Sequence, residues 1–249
     1  MQTAVGDLRA AERAYEAALR VDPRNVAARR GLAQIYLQTG RATESLREYQ
    51  RALIDAPGDR DSQTGIVQIL TQRGDMASAV PFLREIALAP DATPQDWVQL
   101  GVACLASAQP VEAAQALEEA LLMGDSSAAV LGPLAEAYSA QGRYGEAAST
   151  AEELARRSAS AAAWERVGWL QFRQGDYPRS AQAYRRATEI EPTSARAWNG
   201  VAITALNAWL LSDRLDQAAR EEARRALARS LELDPQQPAM ERLRTTYRP

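Results

Sequence analysis

The stretch WERVGWLQFRQGDYPRSAQAYRRATEIEP, residues 164–192, decides the fold. Trp164, Val167 and Gly168 share one face of a first helix, at the spacing of neighbours on an α-helical surface. Gly175 ends that helix, as a glycine at a C-terminus does. Pro178 suits the first turn of a second helix. Ser180, Tyr184 and Ala187 mark the face of this second helix, and Pro192 closes the unit. The stretch therefore reads as helix, turn, helix.

Working outward, the same unit returns. Trp164 and Trp198 lie 34 residues apart, and so do Pro23 and Pro57, Ala18 and Ala52, Tyr15 and Tyr49, and Gly40 and Gly74. A self-similarity of this period marks a repeat architecture. In the unit starting at Val26, Leu32, Ala33 and Tyr36 mark the first helix, and Ser45, Tyr49 and Ala52 the second. Ala33 and Ser45 are placed where the two helices cross, because a bulky side chain there would force them apart. Leu32 and Tyr49 fill the space on either side.

These residues resemble the tetratricopeptide repeat family, whose pattern is Trp-x2-Leu-Gly-x2-Tyr, then Gly, Ala-x3-Phe-x2-Ala, then Pro. Further copies are Trp97, Leu100, Gly101 and Cys104 with Ala113, Leu117 and Ala120, and Leu134, Ala135, Tyr138, Gly142 and Ala147. Weaker ones begin near Arg60 and Ala195. The resemblance implies an all-α, right-handed superhelical solenoid of antiparallel helix pairs. It divides the chain into a partial first repeat (1–25, a second helix), six repeats starting near 26, 60, 94, 128, 161 and 195 (26–237), and a capping helix and tail (238–249). Cys104 takes the place the family gives to Tyr and is expected to be a small buried hydrophobe. Pro81 and Pro133 fall about a turn inside their helices, which predicts a late start or a kink at each.

Composition narrows function by exclusion. The chain has 249 residues, no His and one Cys, and its basic residues are all Arg. Without His there is no imidazole base or ligand, and without Lys no Schiff base or Walker-type phosphate loop. Asp and Glu are scattered along helix faces, so catalysis, a metal site and a cofactor are not expected. The formal net charge is −3. The arginine doublets sit beside acidic residues rather than on one basic face, which argues against nucleic acid. No apolar run is long enough to span a membrane. Residues Met1 to Ala10 do not read as a signal peptide. Nothing in the sequence indicates a compartment.

Three departures from a regular array carry expectations. Gly6 to Pro23 reads as a second half-repeat with only Gln2 to Val5 left of its first helix. Such a half cannot bury its own apolar face, which predicts either residues upstream of Met1 or a covering partner. The last unit is longer, with an insertion near 205–217 that carries Trp209, Leu210, Leu211 and Leu215 to a tip. Pro238 to Tyr247 reads as a cap with Met240, Leu243 and Tyr247 on its apolar side.

The family resemblance implies a protein-interaction scaffold that binds a peptide or partner protein in a concave groove lined by first helices. The alternative is an appendage of a larger enzyme or assembly whose other domain lies upstream. By resemblance the groove places include Arg30, Gln34 and Gln38, then Gln68 and Gln72, then Arg166, Trp169, Phe172 and Arg173, and then Arg196 and Asn199. The glutamines suit a peptide backbone. Trp169 and Phe172 between arginines suit an acidic segment with an apolar anchor. Gly31, Gly65 and Gly200 occupy a groove place too, where they would let a ligand backbone come close. Self-association through the N-terminal edge or the Trp209–Leu211 tip is a further expectation.

Overall fold

The computed structural model describes residues 2–249, with side chains described from Asp7 onward. Among the described residues every regular element is an α-helix. The chain divides into two units, residues 1–125 and residues 126–249. The first holds α1 (Gln2–Val21), α2 (Val26–Gln38), α3 (Ala42–Asp55), α4 (Arg60–Gln72), α5 (Met76–Ala87), α6 (Pro94–Ala106) and α7 (Pro110–Leu122). The second holds α8 (Ala128–Ala140), α9 (Tyr144–Ser158), α10 (Ala161–Gln174), α11 (Tyr177–Ile190), α12 (Ala195–Leu211), α13 (Gln217–Leu233) and α14 (Pro238–Tyr247). Within each unit successive helices pack on one another, and short links make neighbours antiparallel. This is the all-α stack of helix pairs that the period predicts.

Local chemistry sets the helix ends. Asn25, Asp59, Asp75, Asp176, Ser194 and Asp216 each cap a helix by accepting from a first-turn backbone N–H. Thr93 and Asp96 form a reciprocal capping box at the start of α6. Gly40 and Gly74 follow their helices with φ of +78° and +73°, a conformation that costs glycine little.

The crossing points are as read. Ala33 and Ser45 are fully buried, and the Ser45 hydroxyl donates to the Ala33 carbonyl at 2.7 Å. In the second unit Ser180 donates to the Gly168 carbonyl at the same distance. Each serine is small enough for the crossing, and its hydroxyl is satisfied there. Alanines dominate the core around α9 and α10, with Ala135, Ala147, Ala148, Ala151 and Ala155 packed on Val167 and Leu170. Cys104 is buried, and burial pushes its thiol up to about 11.

Three expectations are corrected. Residues Gln2 to Val5 continue α1 instead of forming a remnant of a separate helix, so Gly6 is no boundary. The side chains of Met1 to Gly6 lie outside the described residues. Of the two outcomes expected at Pro81 and Pro133, the late start does not occur: the helices begin at Met76 and Ala128 and run through the prolines. Each proline denies a hydrogen bond to the carbonyl four residues earlier, of Ala77 or Ala129, and both those residues are exposed to solvent. Trp209 does not stand at a tip: it is 5% exposed, packed among Ala205, Leu206, Ala219 and Ala223. Its indole N–H donates to the Arg214 carbonyl at 3.0 Å. Leu211 and Leu215 stay exposed, so Trp209 adds nothing to a self-association surface there.

Candidate functional site

The glutamines converge in the first unit. Gln34 and Gln38 of α2 face Gln68 and Gln72 of α4 across a cleft of about 490 Å³, which Leu37 and Tyr49 complete. All four glutamines are exposed. Their amides present both donors and acceptors, the pairing that an extended backbone satisfies. Arg30 belongs to the same helix but is already engaged. Its guanidinium meets Asp59 at 3.1 Å and also pairs with Asp61, tying α2 to the start of α4.

In the second unit α10 supplies the floor of another cleft, about 430 Å³, lined by Ala162, Glu165, Arg166, Trp169, Tyr184 and Arg196. Residues 162, 165, 166 and 169 share one helical face, which is why the four line one side. Trp169 is 44% exposed. Its ring meets Tyr144 edge to face at 6.2 Å. Arg173 lies over both rings, 4.7 Å from the Tyr144 centroid and 5.4 Å from that of Trp169, and donates to the Tyr144 hydroxyl at 2.6 Å. This cation–π stack holds the indole against the helix surface with one face open. Arg166 is exposed and has no ion-pair partner among the described residues. Arg196 approaches Glu165 at 3.6 Å with its own side chain almost wholly in solvent. Burial pushes the Tyr184 phenol up to about 12, so it stays a neutral wall of this cleft.

Two residues from the same reading go elsewhere. Phe172 turns to Tyr177 of α11, ring centroids 5.2 Å apart, and is not part of the Trp169 cleft. Asn199 is spent on structure. Its amide donates to the Gln237 side chain at 2.6 Å and its oxygen accepts from Ser230, which ties α12 and α13 to the turn before α14. Both corrections have one cause: the side chain meets a residue from a neighbouring element.

The groove glycines have a different role from the one expected. A Cβ built on Gly65 falls 2.4 Å from Cζ of Tyr49, one on Gly31 2.3 Å from Cζ of Tyr15, and one on Gly200 2.1 Å from Cδ1 of Tyr184. Each glycine is the seat of a tyrosine ring from the preceding second helix, so the space is filled and no ligand backbone enters there. The signal was present in the sequence. Each of these tyrosines stands sixteen residues before its glycine, whereas Leu83 and Leu117 stand sixteen before Gln99 and Pro133. A large ring on one helix accompanies a missing side chain on the next.

No group of three or more His, Cys, Asp or Glu residues able to hold a metal occurs among the described residues. No described helix is long and apolar enough to cross a membrane.

The family model described as tetratricopeptide repeat matches residues 4–60, 133–195 and 168–238, together well over half of the chain. Among solved structures, MamA 41-end from Desulfovibrio magneticus RS-1 superposes with a TM-score of 0.57 at 16% identity, covering 72% of this chain and 97% of that one. MamA AMB-1 gives 0.57 at 18% identity, covering 74% and 94%. A tetratricopeptide repeat protein from Parabacteroides merdae gives 0.51 at 17% identity, covering 99% and 94%. At these identities the likeness is one of fold. No curated protein matches the chain.

Proposed function

Because the chain belongs to the tetratricopeptide repeat family, we propose that it is a protein-interaction scaffold whose first helices bind a peptide segment of a partner protein. The observation that carries the reading is the α10 cleft, where a half-exposed Trp169 stands beside an unpaired Arg166 and a loosely paired Arg196. An indole with one face in solvent offers an apolar anchor point, and tryptophan and arginine are the residue types that dominate binding energy at interfaces. Two guanidiniums beside it suit carboxylates, which they hold with paired hydrogen bonds. The preferred ligand is an acidic segment with an apolar anchor. The glutamine cleft of the first unit supports backbone recognition without sequence preference. Six repeats over residues 26–237, flanked by a partial unit and a cap, are the organisation proposed for this scaffold.

Selection of displayed random peptides against the whole chain tests the reading. Enriched sequences should carry Asp or Glu flanking an aliphatic or aromatic residue. Trp169→Ala should lower their affinity by about tenfold or more while leaving the helical signal in place, because the indole is a surface anchor. Arg166→Glu should weaken binding and lessen its dependence on salt. Selection of basic or purely apolar peptides, or an unchanged affinity in Trp169→Ala, would overturn it.

A further inference from the structure

Three second helices of the first unit end on the same kind of residue. Ile54 of α3, Leu88 at the end of α5 and Leu122 of α7 lie 34 residues apart, one repeat each. Ile54 and Leu122 are 79% exposed and Leu88 is 66% exposed. One repeat before and one repeat after, the same place holds Arg20 and Arg156, as suits a surface position. A lone exposed aliphatic needs no explanation, but three in one register form a ladder of apolar surface left in water.

The step of the ladder and the charges beside it point to what covers it. Packed helices stand about 8–10 Å apart, so rungs on alternate helices are separated by roughly 16–20 Å. A single helix laid across them would repeat its apolar side chains about every 5.4 Å. The step that matches is that of a second array with the same repeat. The charge changes sign along the ladder. On α3, Arg47 and Arg51 share the face of Ile54. Both are exposed; Arg51 gives one nitrogen to Glu48 at 2.6 Å, and Arg47 has no ion pair among the described residues. On α7, Glu119 lies one turn before Leu122, exposed and with no ion pair among the described residues. On α5, Arg84 and Glu85 flank Leu88 and are engaged within the chain, with Glu112 and Gln63, which leaves the middle neutral.

We propose that this ladder is a self-association surface, on which a second copy of the chain pairs about a two-fold axis through Leu88. The axis runs along α5, so the two ladders pass in opposite directions. Leu88 meets Leu88, Ile54 meets Leu122 on both sides, and Arg51 comes opposite Glu119 twice. A two-fold axis along the ladder would instead set Arg51 on Arg51 and Glu119 on Glu119, with repulsion at both ends. Pairing of one patch with itself is the common arrangement of soluble dimers. Neither the rungs nor these charged neighbours line the glutamine cleft, so the pairing does not occupy it.

Sedimentation equilibrium of the whole chain over about 1 µM to 1 mM reads the association, and a reversible dimer is expected. Leu88→Glu sets two carboxylates together on the axis. It should raise the dissociation constant about tenfold or more and keep the helical signal, because the side chain is exposed. Glu119→Arg should weaken the dimer several-fold by facing Arg51. Cysteine cross-linking locates the axis, and the native Cys104 is buried and does not compete. Under mild oxidation Leu88→Cys should link into dimers several-fold faster than Ile54→Cys, which has no thiol opposite and reports random collision. In a mixture, Ile54→Cys and Leu122→Cys chains should link to each other faster than either links to itself. The proposal is overturned by a chain that stays monomeric throughout, by a dimer that Leu88→Glu leaves undiminished, or by equal cross-linking of Leu88→Cys and Ile54→Cys. Trp169→Ala should leave the dimer unchanged, so this surface and the peptide cleft succeed or fail separately.

Discussion

Replacing Gly65 by Ala sets two effects of known size against each other. Gly65 lies inside α4, where alanine is favoured over glycine by about 1 kcal/mol. Propensity alone therefore predicts a more stable protein. The structure predicts the reverse. The new Cβ falls 2.4, 2.5 and 2.8 Å from three ring carbons of Tyr49, against about 3.5–4.0 Å for an ordinary carbon contact. The ring is rigid and 3% exposed, so it cannot swing into solvent without opening the core between α3 and α4. Overpacking of this kind costs about 1–3 kcal/mol, and three simultaneous contacts on a held ring belong at the upper end. The net expectation is a destabilisation of about 1–2 kcal/mol once the propensity gain is subtracted. Urea denaturation measures it. Gly145→Ala is the internal control: Gly145 also lies within a helix, but its nearest neighbour is the end of the flexible, exposed Gln174 side chain at 3.1 Å, which can move aside. That variant should gain up to about 1 kcal/mol. Tyr49→Leu should be destabilising by itself and should turn the Gly65→Ala effect favourable, giving a coupling of about 2 kcal/mol or more in a double-mutant cycle. If Gly65→Ala stabilises as much as Gly145→Ala, the ring contact does not decide and the account of the groove glycines is wrong.

Three further outcomes are expected. Trp209→Ala should cost about 3–5 kcal/mol in chemical denaturation, since the indole fills the space between α12 and α13; a loss below about 1 kcal/mol would return Trp209 to the surface. Burial pushes the Asp96 carboxyl up, but bonds from the Thr93 backbone and hydroxyl and from Arg60 outweigh it and hold the group below its ordinary value of 3.8. A carboxylate depressed by folding contributes stability at neutral pH that is lost as pH falls below 3.8, so the acid arm of the melting profile should be shallower in Asp96→Asn. Cys104, raised to about 11 by burial, should resist alkylation at pH 8 in the native chain and react promptly in denaturant; equal rates would contradict its place in the core.

The sequence by itself determined the helix pairs, their period and the small crossing residues. Ala33 and Ser45 could be placed because helix periodicity and the steric limit at a crossing are local properties of the chain. Helix ends were legible for the same reason, from Gly40 and Gly74 and from Pro178. Tertiary structure decided which polar and aromatic side chains remain available. Trp169 and Trp209 read alike as tryptophans outside the packing positions, yet one is half in solvent and the other buried, because α13 covers Trp209 while Trp169, held by Tyr144 and Arg173, lines an open cleft. Arg30 and Asn199 read as free groove residues and are held by Asp59 and Gln237, partners 29 and 38 residues away. Such pairings depend on where a neighbouring helix sends its side chains, which no spacing within one helix specifies. The tyrosine rings seated on Gly31, Gly65 and Gly200 stand between the two cases. Their sixteen-residue spacing is in the sequence, but its meaning comes only from the contact of one helix with the next, where a ring takes the volume that a Cβ would need.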